Sequence, residues 1–524
     1  MLIDLAAEVF PRRWKSLSAV SSDWVPQVQS WLQTCHLDHT KCASQGTFQP
    51  TRLIEVTDKT WPKLITRDTH VNSRPYIALS YVWGIAQPYV LSKGNVREMH
   101  FGLAPSRLPK SIQDAIQVTV SLGFKYLWVD ALCIIQDSAE DKARELPTMA
   151  AIYRHSALTI IAASASACTK GFLRPPEPPQ FFVEPFKVPV NTENGQKASL
   201  LLGYREYYKS GWDPINSRAW TLQERVLSSR SLIFSNSGII WVCGESHYNP
   251  SAPPDAPPPF IVSLNRSIDD DEDYEAAIRE QWLAILGEYT ERSLTVLGDK
   301  LPAISALAAE VAQRTNWTYL AGLWEENLFF DLHWKYTKTN EPSCPLKTQK
   351  AKDAGYIAPS WSRINVAEGL TRDTEDERND RQAFHFRILD CQVELADNSD
   401  FQFGPVKDGF LEVEGKVIDL AWKLDDSPEW VDSDLVLLDD SLPEQTYIVG
   451  EGTLDPLDKE IPADARIKCL GMSTIQLGNQ RIAPIEGLMI LSTGLDGNFR
   501  RVGFCRITAP SVFDDAAKGI FRIV

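Results

Sequence analysis

Apolar positions recur with two periods along this chain, and the alternation of the two predicts its architecture. VPQVQSWLQTC places Val28, Trp31, Leu32 and Cys35 on one helical face, and the strand-like run TRLIEV follows. YIALSYVWG is an apolar run ended by Gly84, the pattern of a buried strand. LPKSIQDAIQVTVSLG reads as a helix: Pro109 suits its first turn, Ile112, Ala115, Ile116 and Val120 share a face, and Gly123 suits its stop. KYLWVDALCII predicts a second buried strand. A helix is then expected from about Ser138 to His155, capped by Asp137 or Ser138, with Leu146, Met149, Ala150 and Tyr153 on its apolar face. ALTIIAAS predicts a third strand. Strand, helix, strand, helix, strand is the order of a mostly parallel sheet covered by helices.

Farther on, SRAWTLQERVL reads as a short helix and SLIFSNSGIIWVC as a hairpin turning at Asn236 to Gly238. LRPPEPPQFF is expected to be an inserted loop. NPSAPPDAPPPF and the acidic run DDDED predict a stiff, solvated linker. EAAIREQWLAILGEYTERSL and KLPAISALAAEVAQRT have helical spacing, TRDTEDERNDR is a charged break, and the remainder alternates like antiparallel strands. The expected organisation is a lead-in over 1–70, an α/β unit over 71–245, a linker over 246–274, and an α+β region over 275–524 that is helical first and β-rich after.

Composition narrows the function classes. The 524 residues are 44% hydrophobic and 23% charged, which excludes wholesale disorder. A net charge of −16 argues against non-specific binding to nucleic acid or anionic membranes. No stretch approaches the ~20 apolar residues of a membrane span. The opening MLIDLAAEVFPRRWK lacks a basic segment ahead of an apolar run, so no signal peptide is expected. Nine cysteines, mostly scattered singly, read as reduced thiols of a cytoplasmic protein.

In a parallel α/β sheet, ligands sit at the carboxyl ends of the strands. Ser80, Tyr81, Trp83 and Gly84 end the first run, Asp130 and Cys133 the second, and Arg218, Trp220, Gln223 and Glu224 surround the short helix. On that helix Trp220, Gln223, Glu224 and Leu227 share one face, and a carboxylate there is costly to bury unpartnered. Two readings follow: Glu224 is catalytic, or it pairs with Arg218 or Arg225 and locks the unit. Asp130 suits either ribose hydroxyls or a turn. Cys133 suits either a nucleophile or a small buried hydrophobe. Gln136, Asp137, Asp141 and Glu145 suit the first turns of a helix. Cys35, His39 and Cys42 are three potential zinc ligands, and a structural site needs a fourth from His36, His70 or a remote cysteine. On ligand count the expectation is a packed, metal-free cluster. The chain has no GxGxxG after a strand, no GxxxxGK[ST], no HExxH and no GxSxG, which argues against the enzyme classes those motifs mark.

YIALSYVWG, LPKSIQDAI, the run from KYLWVDALCIIQDSAED to ALTIIAAS, and SRAWTLQERVLSSR resemble the fungal heterokaryon-incompatibility (HET) domain, in that family's motif order, over about 76–225. CHLDHTKC resembles the segment that often precedes it. YTERSLTVLGDKLPAISALA, YLAGLWEENLFFDLHW and YIAPSWSR resemble the flanking region of full-length HET proteins, with Arg363 where a tryptophan is usual. The resemblance implies a fungal intracellular effector of allorecognition and regulated cell death. The HET domain is in turn similar to TIR domains, which implies a flavodoxin-like fold. Some TIR domains cleave NAD with a glutamate in a motif of the form S-x-W-C-x-x-E, and SRAWTLQE has the same outline, with Thr221 in place of the cysteine. By that resemblance Glu224 is the catalytic residue, NAD a substrate rather than a cofactor, Trp220, Trp83 or Tyr81 a stacking surface, and Arg218 a pyrophosphate contact. It also implies self-association or an incompatibility partner. Two alternatives stand beside this reading: a non-enzymatic assembly module, and a HET-scaffold enzyme of fungal secondary metabolism using Asp130, Cys133 and Glu224.

Overall fold

The protein is described from a computed structural model, over residues 19–40, 42, 48–67, 74–85, 87–175, 186–191, 197–202, 213–249, 264, 274–336, 355–365, 370–371, 381–396, 402–424, 435–439, 447–455, 461–462, 465–475, 483–494 and 497–524. Nearly all of the expected 246–274 linker, the end of LRPPEPPQFF, most of the charged break, and His70 lie outside these residues. The chain divides into two units, Met1–Asp270 and Asp271–Val524.

The first unit is built on one eight-stranded sheet. Its strands are β1 (Arg52–Glu55), β2 (Lys63–Thr66), β3 (Ile77–Ser80), β4 (Tyr126–Trp128), β5 (Leu158–Ile161), β8 (Arg230–Ser235), β9 (Gly238–Cys243) and β10 (His247–Tyr248). A separate hairpin, β6 (Phe186–Asn191) and β7 (Lys197–Leu202), stands off it. The sheet order is β10-β9-β8-β5-β3-β4-β1-β2. The four inner strands β4, β3, β5 and β8 are mutually parallel, and the outer strands pair antiparallel. Every residue of β3, β5 and β8 is buried, as a sheet covered on both faces requires.

The helices of this unit are α1 (Trp24–Leu37), α2 (Val96–Phe101), α3 (Lys110–Ser121), α4 (Asp130–Cys133), α5 (Ala139–Glu145), α6 (Met149–His155) and α7 (Trp220–Leu227). α3 buries Ile112, Ala115 and Ile116 and stops ahead of Gly123 at φ +86°, where the sequence places the stop. Two expectations are corrected. KYLWVDALCII is a strand only to Trp128, because the Asp130 carboxylate accepts the Ala131 N–H at 2.6 Å and the chain turns into α4. The helix expected from Ser138 to His155 is cut in two around a 3₁₀ turn at Leu146–Thr148, since Pro147 has no N–H to continue it. Ser138, not Asp137, caps α5, accepting from Asp141 N at 3.3 Å.

The lead-in belongs to this sheet through β1 and β2. Arg52 on β1 reaches across to α5 and makes a two-pronged pair with Asp141, at 2.6 and 3.0 Å, while donating to the Cys133 carbonyl at 2.8 Å. Both side chains are buried. Burial alone would raise the Asp141 carboxyl, but the Arg52 hydrogen bonds, the Ile135 N–H and the Arg144 charge prevail and hold it below its usual range.

In the second unit, helices Tyr274–Thr290 and Ser305–Thr315 precede an antiparallel β structure. Strands Ile467–Ile475, Ile485–Ser492, Asn498–Ile507, Tyr447–Leu454, Leu435–Asp439 and Val406–Leu424 pair in that order. The last pairs back onto the first through Val417↔Leu470 to Leu420↔Ile467, so the ladder closes into a barrel. Leu437, Cys469, Met489 and Cys505 are among its packed interior residues. Arg501 is fully buried, donates to the carbonyls of Leu332 and Trp334, and lies 3.3 Å from the Trp334 ring centroid. Among the described residues no helix is long and apolar enough to cross a membrane.

Breaking a buried ion pair on one side leaves a charge without compensation. Arg52→Ala is expected to lower the unfolding free energy of the first unit by about 3–5 kcal/mol in denaturant titrations near pH 7. The loss is expected to shrink below the ordinary aspartate range, where Asp141 takes up a proton.

Candidate active site at the ends of the parallel strands

The parallel core has a topological switch point between β3 and β5. The chain leaves β3 toward β4 on one side, whereas it leaves β5 toward β8 on the other. Adjacent strands whose exits diverge leave a gap at their carboxyl ends, the place where open α/β sheets bind ligands. Ser80 is the last residue of β3, beside Ile161 at the end of β5.

α7 delivers Glu224 to this point. Thr221 anchors its first turn, with its hydroxyl donating to the carbonyls of Ile215 at 2.8 Å and Arg218 at 2.9 Å. At the other end Ser228 Oγ donates to the Glu224 carbonyl at 2.6 Å and to Thr159 Oγ1 on β5 at 2.7 Å. α7 therefore runs from the carboxyl ends of the strands back along the sheet. Glu224 is only 7% exposed. Its Oε2 accepts the Ser80 hydroxyl at 2.5 Å, and the Tyr153 hydroxyl, on α6, also bonds it. Tyr153 further donates to the Leu79 carbonyl at 3.2 Å.

A second, half-buried carboxyl lies close. Asp130 opens α4, accepts from Trp83 Nε1 at 2.9 Å, and bonds the Tyr81 hydroxyl. Gln87 donates to that same hydroxyl at 2.6 Å. The positive charge of Arg218 acts on Glu224, Asp130 and Tyr81 together. Burial pushes Glu224 up to about 8, reinforced by the Asp130 charge and opposed by Ser80, Arg218 and Tyr153. Burial also raises Asp130, against the pull of the Ala131 N–H, Trp83, Arg218 and Tyr81. Near neutrality the pair thus combines a carboxyl able to give a proton with one surrounded by donors.

Of the residues singled out from the sequence, Ser80, Tyr81, Trp83, Asp130, Arg218 and Glu224 meet in this network. Gln223 is buried beside it, with Oε1 lacking a hydrogen-bond partner among the described residues, and Trp220 is half-buried at the start of α7. Gly84 takes φ +86°, and a Cβ there would sit 2.9 Å from the Ala167 Cβ, so the residue serves the turn out of β3. Cys133 is sealed in the packed core, its thiol pushed up to about 12 mainly by burial. Gln136 and Asp137 bond backbone groups, and Asp141 and Glu145 face Arg52. Tyr153 is a member of the network that the sequence marks only as apolar helix face. A buried tyrosine hydroxyl needs a partner, and that is the available signal. Cys35, His39 and Cys42 cluster away from this site, on the side where β8 begins.

Because Glu224 has its folded-state value raised from 4.5 to about 8, its contribution to stability is full below about pH 4.5 and is lost as pH rises through 8. Glu224→Gln is expected to remove that slope, leaving the variant more stable than wild type above pH 8 by up to about 4 kcal/mol in denaturant titrations.

Residues 76–224 match the family model described as heterokaryon incompatibility protein (HET), a span that runs from just before β3 to Glu224 itself. Searches of curated proteins and of solved structures return no match.

Proposed function

We propose, from the HET domain that residues 76–224 form, that the protein is an effector of heterokaryon incompatibility and that the Glu224 site cleaves NAD at the nicotinamide–ribose bond. The observation that carries the chemistry is the position of Glu224 and Asp130 with Arg218 at the diverging ends of β3 and β5. The inner strands run β4-β3-β5-β8, which in chain order is second, first, third, fourth, and this order supports a flavodoxin-like reading of the fold.

In the proposed reaction the C1′–N bond breaks, and its electron pair leaves with the nicotinamide nitrogen, which becomes neutral. The ribose passes through an oxocarbenium-like state, and water adds at C1′ and sheds one proton. Glu224, ionised by the positive charge of the bound nicotinamide ring, holds a ribose hydroxyl and stabilises the cationic sugar. Ser80 and Tyr153 fix the orientation of its carboxyl group. Arg218 meets the pyrophosphate, and Tyr81 or Trp83 offers a ring for stacking.

One observation favours a second reading, the non-enzymatic assembly module. Glu224 is nearly sealed and satisfied by two hydroxyls, as a structural carboxyl would be. A biosynthetic enzyme using Cys133 as nucleophile is disfavoured by the burial and protonation of that thiol.

Nicotinamide release from NAD, followed over a range of protein concentrations, separates the two. Turnover is expected to rise more steeply than protein concentration, as it does for an assembling site, and to fall by about 100-fold or more in folded Glu224→Ala. Toxicity on overexpression without NAD turnover at any concentration supports the assembly module and contradicts the hydrolase.

A further inference from the structure

Cys35 lies in the last turn of α1, His39 and Cys42 in the segment after it, and Cys243 at the end of β9. Cys243 is 204 residues from His39, yet the ligand atoms of all four residues lie within 4.8 Å of one another. His39 Nδ1 is 3.4 Å from Cys243 Sγ and 3.8 Å from Cys42 Sγ. A tetrahedral zinc ion with bonds of about 2.3 Å to sulfur and 2.0–2.1 Å to nitrogen sets its ligand atoms roughly 3.5–3.8 Å apart. Cys243 is the remote cysteine that the ligand count of the first segment lacked, so the premise of a metal-free cluster falls away.

The surroundings suit a bound metal. The Cys243 sulfur accepts backbone N–H bonds from Glu245 and from Ser246, the latter at 3.3 Å, and lies 3.2 Å from the Ser246 hydroxyl. Amides turned onto a sulfur in this way stabilise a metal-bound thiolate. Arg230, at the start of β8 and 9% exposed, donates through Nε to Cys35 Sγ at 3.0 Å and through Nη2 to the Cys42 carbonyl at 2.8 Å. Among the described residues no carboxylate pairs with it. Beside neutral thiols its buried charge would stand uncompensated. Three thiolates, a neutral imidazole and Zn²⁺ sum to −1, which balances the single guanidinium.

We propose that Cys35, His39, Cys42 and Cys243 bind one structural Zn²⁺, with Arg230 as its charge-balancing neighbour. The donor set is three sulfurs and one nitrogen, closed to a fifth ligand, which selects zinc over oxygen-preferring cations and over a catalytic open site. The ion fastens α1 and the segment after it to β8 and β9, closing a very long loop of chain.

The test is metal analysis of the full-length chain, purified under reducing conditions and dialysed against metal-free buffer. About one zinc per chain is expected in wild type, in Cys243→His, which keeps a ligand, and in Cys133→Ser, whose cysteine lies outside the cluster. Cys243→Ser and Cys42→Ser are expected to lose it. Cobalt exchanged into wild type is expected to show the visible bands of a tetrahedral thiolate site, so the proposal stays testable even where a serine variant fails to fold. Folded wild type with less than about a tenth of a zinc per chain overturns it. A disulfide among these cysteines, or equal zinc in a chain with all three changed to serine, overturns it as well.

Discussion

The first unit turns on one buried carboxyl. Glu224 sits where β3 and β5 end, held by the hydroxyls of Ser80 and Tyr153. That contact joins a strand end to two helices, so the carboxyl group reports on their mutual placement as well as on any chemistry. Burying an ionised carboxylate is costly, and the protein meets that cost with hydroxyl donors, a nearby guanidinium and a raised affinity for a proton. The same burial that makes Glu224 a structural hub brings its titration near neutral pH. This is why catalytic and structural readings of such a residue are hard to separate by pattern alone.

The parallel core was legible because its signals are local. Apolar runs at β3 and β5, the amphipathic spacing of α3 and its Gly123 stop, and the two-residue turn between β8 and β9 each lie within a few residues. The break in the long helix was missed, although Pro147, inside the expected span, carries the signal for it. What was not legible is long-range pairing. TRLIEV reads as a strand, but nothing local says that β1 pairs with β4 on the edge of the sheet. Likewise Val406–Leu424 reads as alternating strand, whereas its pairing with Ile467–Ile475, which closes the barrel, depends on chain far downstream.

The site shows the same division. Residues at strand ends and on the Trp220 helix were found from position and spacing, and six of them form one network. Tyr153 escaped because a tyrosine on an apolar helix face reads as core until its hydroxyl needs a partner. Cys243 escaped because a lone cysteine at a strand end carries no spacing signal, and only the sheet order brings it beside Cys35 and Cys42.

Glu224 is buried deeply enough to hold its proton past neutrality. Difference infrared spectroscopy of wild type against Glu224→Gln isolates the carboxyl C=O band of that side chain, which can be followed as pH is raised. A band that persists through pH 7 and disappears with a midpoint near 8 is expected. A midpoint close to the ordinary glutamate value of 4.5 would contradict this.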